Sequence, residues 1–132
     1  MFLDDIGSKV AAGTSLTLGT DLFLGLLPDR PLAAVAIIET PGLAPVRTMG
    51  GGIQIEIQGF QVIGRDDTDN YDTVRTTMNG IYALLAATTQ ETINSVVYHQ
   101  FEALSGVFNI GVDNEDNVQL AANFLAWKNP TP

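Results

Sequence analysis

His99 is the only histidine in the chain, and it is the first residue to consider for acid–base or metal chemistry. It follows Tyr98 in a mostly apolar run where a strand is predicted. A catalytic or metal-bound histidine needs positioned partners, and the chain contains no second histidine and no cysteine. We therefore interpret His99 as a structural or surface residue.

Two acidic clusters have the composition of cation-binding loops. The clusters are Asp66, Asp67, Asp69 and Asp72, and the segment 113–117. A calcium loop places a glycine at its sixth position, but Asp72 occupies that position in the first cluster and Val118 in the second. Helix capping and a solvated turn explain both clusters, so no metal site is predicted.

The glycine run at residues 50–52 is the remaining candidate for ligand chemistry. A phosphate-binding loop carries a Lys and a Ser or Thr and leads into a helix, whereas this run leads into a strand. We interpret it as the flexible tip of a hairpin. No serine lies in a Gly-x-Ser-x-Gly motif either. The sequence therefore predicts neither an enzyme nor a bound cofactor.

Length and charge limit the remaining classes of function. The 132 residues suit a single α+β domain over 1–132, with an N-terminal helix and connector over 1–20 and a tail over 129–132. The net charge of −9 makes the chain a poor partner for a nucleic-acid duplex, although DNA can pass an acidic surface without binding it. No stretch of about 20 apolar residues predicts a membrane-spanning segment.

The segment from residue 53 to residue 87 gives the clearest structural pattern. Ile53, Ile55 and Ile57 alternate with polar residues, which predicts a half-buried strand. The apolar positions change parity after Gly59, which predicts a β-bulge there. Helical spacing then predicts a helix that begins near Thr68, and Gly80 within that helix predicts close packing against a sheet.

Weaker patterns complete the predicted fold. A helix is predicted over 2–12, and strands over 22–27, 33–39, 92–104, 107–112 and 118–126. Residues 43–52 are predicted to form a long exposed loop. Together these elements predict an α+β fold, with a mixed or antiparallel β-sheet and two helices packed on one face. The first helix is predicted to pack on its own domain or on a neighbouring molecule.

Several segments resemble the minor capsid and tail terminator proteins of long-tailed bacteriophages. The segments are Leu27–Arg30, Ala36–Gly42, Ile53–Leu85 and Gly111–Asp113, followed by the final alternating strand. The resemblance depends on their order and spacing, and it extends from the first helix to Trp127. None of these segments is catalytic in that family.

This resemblance implies a structural virion protein and no enzyme. It implies a tail terminator that forms a hexameric ring at the head-proximal end of the tail tube, stops tube polymerisation and joins the tail to the head. The implied partners are further copies of the chain, the tail-tube protein and the head connector proteins. DNA would pass through the ring without specific binding, and the ring would assemble in the host cytoplasm.

Candidate residues follow from this interpretation. The predicted contacts with neighbours are Phe2, Leu3 and Ile6 in the first helix and Arg47, Met49, Gly50, Gly51 and Gly52 at the hairpin tip. The residues predicted to line the central hole are Asp66, Asp67 and Asp69. Two alternatives remain: a head–tail connector or tail-tube subunit, and a small-ligand-binding domain. In the latter, the pocket would be lined by Tyr71, Tyr82, Tyr98 and Trp127.

Overall fold

The computed structural model describes residues 2–47, 49–113 and 115–130. Within them, the chain forms two α-helices, one short 3-10 helix and seven β-strands. In chain order these are α1 (Phe2–Gly13), β1 (Leu22–Leu24), β2 (Ala34–Arg47), β3 (Ile53–Asp67), the 3-10 helix (Thr68–Asn70), α2 (Tyr71–Ala86), β4 (Glu91–Ile93), β5 (Val96–Ala103), β6 (Phe108–Val112) and β7 (Asn117–Lys128).

The strands form one mixed sheet with the order β1-β2-β3-β7-β5-β4, and β6 also pairs with β7. The pairing of β1 with β2 is parallel, and the other pairings are antiparallel. The α+β prediction is therefore confirmed. The central pair, β3 and β7, runs in continuous register from Glu56 opposite Lys128 to Asp67 opposite Asn117.

Aromatic rings at the centre of the core place both helices on the same face of the sheet. The Phe60 ring of β3 stacks on the Phe124 ring of β7, with 5.2 Å between the ring centroids. Phe2 of α1 contacts Phe60 edge-on at 5.8 Å, and Tyr82 of α2 lies 5.9 Å from Phe124. Edge-to-face and offset ring pairs of this kind add about 0.5–1.5 kcal/mol each beyond the burial of their surface.

The close approach of α2 to the sheet occurs at Gly64 and not at Gly80. A Cβ atom on Gly64 would lie 2.8 Å from the Sδ of Met78 and 3.1 Å from a methyl group of Val74. At Gly80, nothing lies within 4 Å of the position of a Cβ atom. The prediction for Gly80 was therefore wrong, because the residue lies on the exposed side of the helix.

The first half of the predicted loop over residues 43–52 is strand. β2 continues to Arg47 and pairs with β3 through Leu43 and Val46, so only the tip of the hairpin is a turn. Pro41 and Pro45 lie within this strand. They are tolerated because β1 pairs with only Val35–Ile37, which leaves the outer part of β2 at an edge of the sheet.

The irregularity predicted near Gly59 exists, but the extra residues belong to β2. Register shifts separate Thr40 from Leu43 and Leu43 from Val46, whereas β3 stays in continuous register with β7 past Gly59. The parity of apolar residues changes because β3 buries different faces along its length. Ile57 lies opposite Trp127 on one face, and Phe60 lies in the aromatic core on the other.

Two other strand boundaries differ from the prediction. The segment 92–104 is divided into β4 and β5 by a tight turn, in which Asn94 and Ser95 both have positive φ angles of 49° and 69°. Such turns match the twist of antiparallel strands, but the sequence lacks the Asn-Gly pair that would mark one. β1 ends at Leu24, since Gly25 has φ +83° and turns the chain away.

Candidate interaction surfaces

His99 and the two acidic clusters have structural partners within the chain. His99 lies at a register shift in β5, with its Nε2 atom 2.7 Å from Oδ1 of Asn129. Across residues 2–47, 49–113 and 115–130, no group of three or more His, Asp or Glu side chains is placed to hold a metal ion. Over the same residues, no helix combines the length and the apolar character needed to cross a membrane.

The first acidic cluster caps the start of the helical segment. Asp67 Oδ1 accepts a hydrogen bond of 3.1 Å from the backbone N–H of Asp69, which satisfies a donor at the first turn. Asp66 is buried, and its Oδ1 accepts from the N–H of Asp67 at 2.7 Å and from the Asn70 amide at 3.3 Å. Burial removes Asp66 from the set predicted to line a hole, whereas Asp67 and Asp69 are exposed.

The second acidic cluster is a turn stabilised by Asp113. Its Oδ1 accepts hydrogen bonds from the backbone N–H groups of Glu115 at 2.8 Å and Asn117 at 3.0 Å. These donors, the Asn117 N–H foremost, lower the pKa of the Asp113 carboxyl below its usual range. The turn therefore keeps its negative charge at neutral pH.

The four aromatic residues considered for a ligand pocket do not converge. Tyr71 is exposed at the start of α2, and Tyr98 is buried in the core beside Phe101. Trp127 lies on the other face of the sheet, where its Nε1 donates a hydrogen bond of 3.1 Å to Glu102. Their separation gives no support to the ligand-binding alternative.

Helix α1 is fixed to its own chain. Phe2, Leu3 and Ile6 are 8%, 6% and 0% exposed and belong to the core. Asp5 on the same helix accepts hydrogen bonds from the Tyr98 hydroxyl at 2.6 Å and the Asn94 amide at 2.9 Å. The structure therefore places the three apolar side chains inside the fold, where we had predicted contacts with a neighbour. Their amphipathic spacing is explained by intrachain packing.

The outer part of the β2–β3 hairpin, residues 43–47 and 49–55, extends beyond the sheet, and we call it the arm. The register of β3 with β7 ends at Glu56 opposite Lys128, so the arm lies past the end of β7. Its exposed apolar side chains are Leu43, Val46, Met49 and Ile53. Arg47 donates a hydrogen bond of 3.1 Å to the Gly51 carbonyl, and Gly51 has φ +90°, which favours glycine.

A groove of about 430 Å³ lies on the face of the sheet opposite the helices. Ile38, Ile63 and Gln119 line it from the strands, and the segment 25–29 forms one wall. Asp113 also contributes to its lining. The groove therefore combines apolar residues with the acidic residues Asp29 and Asp113 and with Arg65.

The wall of the groove is held by Arg65. This buried side chain donates hydrogen bonds to four backbone carbonyls, those of Pro28 at 2.6 Å, Asp29 at 3.3 Å, Pro31 at 2.8 Å and Leu32 at 3.0 Å. Five guanidinium N–H donors make arginine suited to such a role. The sequence did not single out Arg65, because its partners lie 33 to 37 residues away.

Comparisons with known proteins agree with this architecture. The family model described as "Bacteriophage tail terminator protein" matches residues 10–127. A chain of the solved structure titled "Virion of native gene transfer agent (GTA) particle" superposes with a TM-score of 0.67 at 13% identity, over 97% of this chain and 94% of that chain. At that identity the superposition supports the fold alone. No curated protein sequence matches the chain.

The family match covers most of the chain, including the end of α1, all of α2 and all of the sheet except the last residue of β7. The members of this family are structural proteins of the phage tail. The chain therefore belongs to the bacteriophage tail terminator protein family.

Proposed function

We propose that this chain forms a closed ring of six copies at the head-proximal end of a phage tail tube. There it stops tube polymerisation and joins the tail to the head connector. The observation that carries this proposal is the family match over residues 10–127. The match favours a terminator over a head-side connector or a tube subunit.

The shape of the subunit supports a ring. A closed ring of identical subunits needs two different, complementary patches on each copy. The arm presents exposed apolar residues together with Arg47, Met49, Gly50, Gly51 and Gly52. The groove lies on a separate part of the molecule. The arm is therefore our proposed contact with a neighbour. Phe2, Leu3 and Ile6 are not included in the proposed contact, because they are buried in the core of their own chain.

Charge supports passage of DNA through the ring. The chain carries a net charge of −9, and affinity for DNA depends on neutralising phosphates with cations. Asp67 at the end of β3 and Asp69 in the 3-10 helix are both exposed, and we propose that they face the central hole. An acidic lining lets DNA slide without being held.

The decisive experiment images phage particles assembled in cells that lack this protein. Tails of uncontrolled length, or heads and tails left unjoined, are expected; tails of normal length joined to heads would contradict the proposal. Electron microscopy of the purified protein separates the alternatives inside the virion. Rings fit a terminator, whereas long cylinders would identify a tube subunit.

A further inference from the structure

We propose that the arm of one copy docks in the groove of the next, with the Met49 side chain in the groove and the Arg47 guanidinium beside Asp29 and Asp113. This inference rests on the proposed ring, because it names the surface that receives the arm. The occupant of the groove is thus a second copy of this chain.

The arm is a two-stranded ribbon with several exposed apolar side chains. A two-stranded ribbon is only marginally stable in water, and this one exposes Leu43, Val46 and Ile53 at 56%, 44% and 42%. The Met49 side chain at its tip is fully exposed. Methionine and arginine are both enriched at the cores of protein interfaces. The arm therefore has apolar surface that a partner can cover.

The groove complements the arm in both polarity and charge. Its lining combines apolar side chains from Leu26, Ile38 and Ile63 with the carboxylates of Asp29 and Asp113. Arg47 is the only charged residue between residues 43 and 55. The Arg65 guanidinium also lines the groove, but four carbonyl oxygens accept its hydrogen bonds. Asp113 already accepts hydrogen bonds from Glu115 and Asn117 and is influenced by the charge of Arg65. The Asp29 carboxylate is therefore the main anion that the groove offers to a cation from a neighbour.

The geometry favours a contact between copies. Ile38 of the groove and Arg47 of the arm lie on the same strand, nine residues apart, which corresponds to roughly 25–30 Å. The arm therefore points away from its own groove. Repeating the same contact from copy to copy gives a head-to-tail assembly. Pro41 and Pro45 remove N–H donors from the edge of β2, so we expect docking through side chains and not through strand addition.

Cysteine cross-linking tests this contact cleanly, because the full chain contains no cysteine. One variant carries Met49→Cys and a second carries Leu26→Cys, a position that is 69% exposed. The two purified variants are mixed at high concentration and treated with a short flexible bis-maleimide. A heterodimer is expected in much higher yield than either homodimer. Its absence, or a predominant Met49→Cys homodimer, would overturn the inference.

A matched control and a charge exchange make the test specific. Thr76→Cys, exposed on α2, replaces Leu26→Cys in the control and should give little heterodimer; an equal yield would overturn the inference. Adding Arg47→Asp to the Met49→Cys chain, or Asp29→Arg to the Leu26→Cys chain, should each reduce the heterodimer. Both changes together should restore it, and no restoration would contradict the assigned ion pair.

The two proposals can fail separately. If tails lose length control without the protein but the cross-link is absent, the terminator function stands and the docking inference falls. If the cross-link forms while particles lacking the protein have normal joined tails, the contact between copies stands and the terminator function falls.

Discussion

The Tyr98 hydroxyl donates a hydrogen bond of 2.6 Å to the Asp5 carboxylate, although 93 residues separate them in the chain. Tyr98 is completely buried and Asp5 nearly so. The bond fixes α1 to the hairpin formed by β4 and β5, and Asn94 in the turn of that hairpin donates to the other carboxylate oxygen. The N-terminal helix is therefore part of the folded subunit, held by a polar contact as well as by its apolar face.

Removing the Tyr98 hydroxyl should destabilise the fold. The Tyr98→Phe variant leaves one oxygen of a buried carboxylate without this donor, and a lost hydrogen bond to a charged group costs about 1.5–3 kcal/mol. Denaturant titration would measure the loss in the free energy of unfolding. Tyr71→Phe is the matched control, because Tyr71 is exposed and should change stability little. Equal effects of the two variants would contradict the assignment.

The same residue makes stability depend on alkaline pH. Burial, followed by the hydrogen bond and charge of Asp5, raises the pKa of Tyr98 well above its ordinary value. In the unfolded chain this hydroxyl ionises near pH 10, so above that pH the unfolded state binds fewer protons than the folded state. The contribution of the protonated Tyr98 hydroxyl to the free energy of unfolding is complete below about pH 10 and is lost as the pH rises further. The stability of Tyr98→Phe, followed from pH 8 to pH 11, should fall less steeply than that of the wild type, and parallel curves would refute this.

Two glycine substitutions should have opposite effects on stability. Gly64→Ala would place a Cβ atom against the fully buried Met78 side chain, and overpacking a core costs roughly 1–3 kcal/mol. Gly80→Ala adds a methyl group to open space on α2 and should stabilise the helix by about 1 kcal/mol. Thermal unfolding of both variants would check the signs. A stabilising Gly64→Ala would mean that α2 packs less closely than described.

Shortening the Arg65 side chain should loosen the wall of the groove. Arg65→Lys retains the charge but cannot reach all four carbonyl oxygens, and a typical intramolecular hydrogen bond contributes about 0.5–1.5 kcal/mol to stability. We expect lower stability and faster amide hydrogen exchange in residues 25–32. Arg75→Lys on α2 serves as the control. Unchanged exchange in this segment would show that Arg65 does not hold it.

A charge at the arm tip should separate folding from assembly. Met49 is fully exposed, so Met49→Asp should change the free energy of unfolding by no more than about 0.5 kcal/mol. The variant should no longer associate with other copies, because the carboxylates of the groove would repel the new carboxylate at the arm tip. Native mass spectrometry at several concentrations would measure the oligomeric state of Met49→Asp. The control is Asn79→Asp, which adds a carboxylate at an exposed position on α2. Normal association of Met49→Asp would exclude the tip as a contact.

The sequence predicted the elements whose patterns are local. The helix α2, the long strand β3 and the last strand β7 follow from apolar spacing, and the tip of the arm follows from three consecutive glycines. The extension of β2 past Pro41 was missed, since proline is compatible with a strand only when its edge is unpaired. That condition depends on the short length of β1, which the sequence pattern did not indicate.

The candidate surfaces were predicted only in part. Residues of the arm tip were predicted as contacts because they are contiguous in the chain, and their role stays a prediction. The groove was not, because it forms where Ile38, Ile63 and the segment 25–29 meet, and because Arg65 holds that segment through backbone atoms. The helical spacing of Phe2, Leu3 and Ile6 predicts an apolar helix face. It does not show whether that face packs into the core of its own chain or against a neighbouring molecule.

Pro41 and Pro45 also bear on how the subunit behaves before assembly. A long apolar ribbon with unpaired N–H and C=O groups normally recruits identical ribbons into fibrils. Two prolines, together with the register shifts between Thr40 and Val46, interrupt that row of groups. We therefore expect the free subunit to resist edge-to-edge aggregation through this ribbon until, under the proposed contact, the groove of a neighbouring copy covers it.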